Sequence, residues 1–205
     1  MIKLLDHLKF ILPAIGTNET RKNIMWVKCW VKNDYLHMMA ANGYVIKTIR
    51  TFYGDNSEDS EFYIDLKTVE NAIKIAENSI YFDDCHECES EIFQDEEILI
   101  LENKIIIGTA ELAYKNYEMD YPDLDHVINS TKQIKNDHIF LNMKFLELAI
   151  NSGINDLMNK VKIEFLSNDK FIKSSEKQKI EHYGFCKIDF LNKEQFAFIF
   201  PIANK

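Results

Sequence analysis

Cys85-His86-Glu87-Cys88 is the densest group of metal-ligating residue types in the chain, because a C-x-x-C pair supplies two thiolates at the spacing of half a structural zinc site. No second pair follows it. Cys29 and Cys186 fall in alternating apolar stretches that read as strands with buried thiols, while Asp83, Asp84, Glu87, Glu89 and Glu91 make the C-x-x-C segment an acidic turn. Those carboxylates would raise the thiol pKa, and a reactive C-x-x-C opens a helix after a strand, so redox chemistry is not expected. Asp120, Asp123 and Asp125 around Tyr121-Pro122 could hold a divalent cation, but their composition is that of a solvated turn. The six histidines (His7, His37, His86, His126, His138, His182) show no paired spacing such as H-E-x-x-H. Neither G-x-G-x-x-G nor G-x-x-x-x-G-K-[ST] occurs, which removes two common nucleotide-binding readings. No nucleophile, base and orienting group assemble, so the expectation is a protein that is not an enzyme and uses neither metal nor cofactor.

The 205 residues suit one large domain or two small ones, with 46% hydrophobic and 28% charged residues, as in a globular chain. A net charge of −9, from 33 acidic and 24 basic residues, argues against coating nucleic acid with the whole surface. Any nucleic-acid contact must then use a local basic face. Lys3, Asp6 and Lys9 interrupt the apolar N-terminal stretch, and no apolar run approaches the roughly 18 residues of a membrane span. Four cysteines in a chain of this length do not resemble a disulfide framework. The expected setting is soluble and cytoplasmic, with no membrane partner.

Leu4, Leu5, Leu8, Ile11, Leu12 and Ile15 predict an amphipathic helix over 3–15 that ends near Gly16. Met25, Val27, Cys29 and Val31 then alternate with Trp26, Lys28, Trp30 and Lys32 at the period of two of a half-buried strand. Asn33-Asp34 turns the chain into 35–41, and Asn42-Gly43 predicts a type I′ hairpin turn into 44–52. After the polar stretch 54–61 come a short strand at 62–65, a helix over 66–78, and strands at 79–82, 97–101 and 104–110. The pattern returns with a strand at 138–141, a helix around Phe145–Ile150, and strands at 161–166, 184–191 and 195–202. The fold class is therefore α+β, with antiparallel sheets and helices on one face, built from three strand-helix-strand-meander units. Two units occupy 1–129 and the third occupies 130–205.

Leu36-His37-Met38-Met39-Ala40-Ala41-Asn42-Gly43-Tyr44, then Tyr121-Pro122-Asp123-Leu124, then Phe198-Ile199-Phe200-Pro201-Ile202 stand in an order and context that resemble the bacterial sliding clamp, the beta subunit of DNA polymerase III. Residues 4–52 and 62–128 resemble the two halves of the clamp's middle domain, and 138–205 resemble the second half of its last domain. The clamp's first domain and the first half of its last domain have no counterpart here. The resemblance implies a DNA-clamp-like fold and a non-catalytic processivity factor, a homo-oligomer that contacts duplex DNA without reading its sequence. It also implies a hydrophobic pocket for peptide motifs of DNA polymerase or the clamp loader.

Carried onto this chain, the DNA-facing helix residues would be Lys3, His7, Lys9, Lys67, Lys74 and Lys144, although Glu70 and Glu77 give the second helix mixed charge. The pocket would be walled by Gly43, Tyr44, Val45 and Ile46 and by Ile199, Phe200, Pro201 and Ile202. The family's usual Ala-Thr-Asp-Gly-His-Arg departs here to Ala41, Asn42, Tyr44 and Val45 around a retained Gly43. A second expectation fits the short length: a shortened clamp relative that keeps the pocket as a peptide-binding or decoy module without encircling DNA.

Overall fold

A computed structural model describes residues 4–55, 57–82, 98–117, 121, 131–133, 143–150, 162–168, 185–190 and 195–199. Lys3, the Cys85–Cys88 segment, Asp120, Asp123, Asp125, Phe200, Pro201, Ile202 and the strand expected at 138–141 lie outside the described residues.

Helix α1 (Leu4–Ile11) is shorter than its apolar periodicity suggests, since the chain tightens into a 3₁₀ turn at Leu12–Ala14. Pro13 has no N–H to continue an α-helix, and the first turn of a new helical segment tolerates it. Strands β1 (Trp26–Lys32), β2 (Tyr35–Ala41) and β3 (Val45–Phe52) form an antiparallel meander, and β4 (Ser60–Asp65) pairs with β1. Asp65 then caps helix α2 (Leu66–Phe82): the Thr68 N–H donates to its carboxylate at 3.0 Å and the Thr68 hydroxyl at 2.6 Å.

Two local expectations are corrected. Residues 79–82 are the last turn of α2 rather than a strand, because no glycine or proline interrupts the helix after Ala76. The mirror-image turn geometry sits at Asn33 (φ 50°) and Asp34 (φ 66°), not at Asn42-Gly43. At the second hairpin only Gly43 has positive φ, at 91°. There the Asn42 side chain organises a longer loop, its carbonyl oxygen accepting from the Tyr44 and Val45 N–H groups at 3.0 and 2.9 Å.

Beyond α2 come β5 (Ile98–Ile100), β6 (Lys104–Ile107) and β7 (Ala110–Ala113), which form a small antiparallel sheet. The rest of the described chain is β8 (Thr131–Gln133), α3 (Met143–Ile150), β9 (Lys162–Asn168), β10 (Phe185–Asp189) and β11 (Gln195–Ile199). Their strands join the first meander in one eight-stranded antiparallel sheet of order β4-β1-β2-β3-β11-β10-β9-β8. The seam is β3 against β11, with Val45 opposite Ile199 and Ile49 opposite Gln195.

Alternation along β3 divides the core. Ile49 faces the largest cluster, where Leu8, Phe10 and Ile11 of α1 and Val69, Ala72 and Ile73 of α2 pack on the sheet and on Ile100, Ile105 and Ile107 of the small sheet. Val45 faces the cluster of α3, with Ala149, Cys186, Ile188, Ala197 and Ile199. Ile46 points to the opposite side, among Met39, Ala41, Tyr63, Tyr121 and Phe198. Each fully buried aliphatic or Phe side chain contributes roughly 1.5–3 kcal/mol relative to exposure. Cys29 and Cys186 are buried in this framework, and burial pushes both thiols up, Cys186 to about 11.

Candidate functional site

Helix α1 packs on β2 and β3, α3 packs on β3 and β11, and α1 lies beside α2. The residues that face α1 and α3 from β3 are the alternate ones, Val45, Lys47 and Ile49, so both helices cover the same side of the sheet. Lys67, Lys74 and Lys144 are exposed on these helices. Lys9 is partly exposed and held by Glu77 of α2 at 2.8 Å. The three helices carry four lysines (Lys9, Lys67, Lys74, Lys144) against Asp6, Glu70, Glu77 and Glu147, so their described charge balances to zero.

His7 corrects the helix-face assignment. It turns inward to full burial, where its Nδ1 lies 3.3 Å from the side-chain nitrogen of Gln195, and burial pulls its pKa down to about 4. A neutral, buried imidazole cannot meet phosphate. Period 3.6 places His7 on the same stripe as Phe10 and Ile11, which the surrounding polar residues Asp6 and Lys9 obscured in the sequence.

The second candidate site is the β3–β11 seam. Register brings the two segments that the sequence singled out side by side, Val45 opposite Ile199 and Ile46 opposite Phe198. They do not share a face. Val45 and Ile199 are core residues beneath α3, whereas Ile46 and Phe198 belong to the cluster on the other side, so a single pocket cannot take walls from all four. The expected pocket walls left out Met39, Tyr63, Tyr121 and Phe198; for Met39, Tyr63 and Phe198 the signal was the same period of two that placed Ile46. Tyr121 anchors this side, its hydroxyl donating to the Met39 carbonyl at 3.4 Å. Gly43 and Tyr44 lie in the loop before β3, and Tyr44 is half-exposed and stacked on Phe145 of α3 at 4.4 Å and 12°, which puts it on the helix side of the sheet.

Among the described residues no three His, Cys, Asp or Glu side chains converge as a metal site requires. No described helix is long and apolar enough to cross a membrane.

No protein-family model and no curated protein matches the sequence. Solved structures do match. The DNA polymerase III beta chain of Streptococcus pneumoniae superposes over 98% of this chain and 63% of its own, at 14% identity and a TM-score of 0.65. The fold is that of a bacterial sliding clamp. The beta subunit of Streptococcus pyogenes gives 13% identity, 98% and 64% coverage and a TM-score of 0.59. The Helicobacter pylori beta clamp, solved bound to a DNA ligase peptide, gives 11%, 98% and 63%, and 0.51. The chain thus spans under two thirds of the length of the clamps it matches. The clamp fold accounts for the helices gathered on one side of the sheet.

Proposed function

We propose that the protein is a sliding-clamp-like processivity factor, a non-catalytic scaffold that self-associates and holds duplex DNA against its helices. The observation that carries the reading is the clamp fold with α1, α2 and α3 on one side of a sheet that is continuous through the β3–β11 seam. In this reading residues 1–129 form a clamp-like domain of two units and 130–205 a half domain. Lys67, Lys74 and Lys144 are the cations offered to phosphate, and alternation with Glu70, Glu77 and Glu147 keeps the contact weak enough to slide. Partner peptides from a polymerase or clamp loader dock on the Ile46–Phe198 side of the seam by burying an apolar anchor.

Retention on nicked circular DNA tests the reading. The wild-type chain is expected to stay bound, and Lys67→Glu with Lys74→Glu to lower retention about tenfold without moving the unfolding midpoint. Unchanged retention removes the helix face from the mechanism. A monomer in light scattering that binds peptide but not circular DNA would point instead to the decoy module.

A further inference from the structure

The side of the sheet away from the helices carries a second set of chemistry. Strands β1, β2 and β3 hold Lys28, Lys32, Lys47 and Arg50 and not one Asp or Glu, in a chain whose net charge is −9. Lys47 points to the helix side and is buried; the other three lie on the outer side. Register sets them in rows with aromatic rings. Trp30 pairs with His37 and His37 with Arg50; one step along, Lys32 pairs with Tyr35 and Tyr35 with Phe52.

The rings already engage one another and a cation, with Tyr35 and Phe52 meeting edge to face at 82°. Trp30 and His37 lie parallel, 4.9 Å apart at 9°, and the Arg50 guanidinium sits 3.9 Å over the Tyr35 ring. Phe52 is 58% exposed at the end of its row. Lys32 and Arg50 are exposed and have no carboxylate partner among the described residues, whereas Lys28 is shared with Glu61 at 3.2 Å. Adjacent rows are two residues apart along the strands, roughly 6.8 Å, a step that an extended nucleotide chain can match.

We infer that this outer face binds single-stranded nucleic acid, with bases stacked on the Trp30–His37 and Tyr35–Phe52 rows and phosphates held by Lys32 and Arg50. Three adjacent antiparallel strands presenting aromatics between cations suit unpaired bases, whose faces are free to stack. A duplex keeps its bases inside and would use only the cations. An acidic peptide would likewise leave the rings idle. The face lies across the sheet from Lys67, Lys74 and Lys144, so its occupancy is separable from duplex retention.

Both tryptophans of the chain, Trp26 and Trp30, lie on this face, so their emission reports binding directly. The full chain is titrated with 12-nucleotide oligo-dT, 12-nucleotide oligo-U, a 12-base-pair duplex and polyglutamate across a salt series. The expected result is quenching by oligo-dT or oligo-U with at least tenfold tighter binding than to duplex or polyglutamate; the better of the two names the sugar. Lys32→Glu with Arg50→Glu should weaken binding at least tenfold and flatten the salt slope by about 1.4, two phosphate contacts' worth. Phe52→Ser, at an exposed position, should weaken it several-fold through lost stacking alone. Equal affinity for duplex, equal competition by polyglutamate, or variants that bind as tightly as wild type would each overturn the inference.

Discussion

The side-chain amide of Gln195 donates to Nδ1 of His7 across 3.3 Å, with both residues fully buried, tying α1 to the last described strand. Because an amide nitrogen can only donate, Nδ1 must accept and the neutral ring carries its proton on Nε2. The contact lies directly under the β3–β11 seam, since Gln195 pairs with Ile49.

The burial of His7 makes stability depend on acid pH. Burial lowers the His7 pKa to about 4 from an unfolded value of 6.5, so between those limits the unfolded chain binds more protons and stability rises with pH. The rise from this group is about 3 kcal/mol, complete above pH 6.5. Urea midpoints across pH 4–7 should show it, and His7→Gln, which can still bond Gln195 without titrating, should flatten it. An unaltered slope in that variant would assign the effect elsewhere.

Lys47 produces a second, separate window. Its ammonium is buried 4.4 Å over the Phe10 ring, and burial lowers its pKa to about 7 from 10.5, so stability climbs again between pH 7 and 10.5. Lys47→Met should be more stable than wild type at pH 7 and nearly flat across that range. Calorimetric melting of the two proteins at pH 7 and 9.5 decides it.

Gly43 holds φ at 91°, and a Cβ there would lie 3.1 Å from Arg21 Nη1. Gly43→Ala should cost about 1–2 kcal/mol, chiefly from the left-handed backbone, because the Arg21 side chain can swing away. Chemical denaturation measures the loss.

The two sides of the seam should separate by function. Phe198→Ala is expected to cost about 3 kcal/mol and to reduce binding of an apolar-anchored clamp-loader peptide at least tenfold. Val45→Ala, on the α3 side, should cost about 1–3 kcal/mol while leaving peptide affinity near wild type. Fluorescence anisotropy with a labelled peptide distinguishes them; equal losses in both would dissolve the one-sided site.

Local pattern carried much of the architecture. The period of two in Trp26–Lys32 placed β1, and the 3.6-residue stripe from Leu66 to Ala76 placed α2. The same patterns could not say where the hairpin strain falls, because Asn33-Asp34 and Asn42-Gly43 both tolerate positive φ and strand register chooses between them. Nor could they identify what an alternating residue faces. Val45 and Ile46 are equally apolar, and only the pairing of β3 with β11, some 150 residues away in sequence, puts one under α3 and the other beside Phe198. The sequence by itself determined the type of most described elements and the acidic balance. Tertiary structure decided the contact of His7 with Gln195, the burial of Lys47 over Phe10 and the aromatic–cationic outer face. Those depend on long-range strand pairing, which local sequence periodicity does not encode.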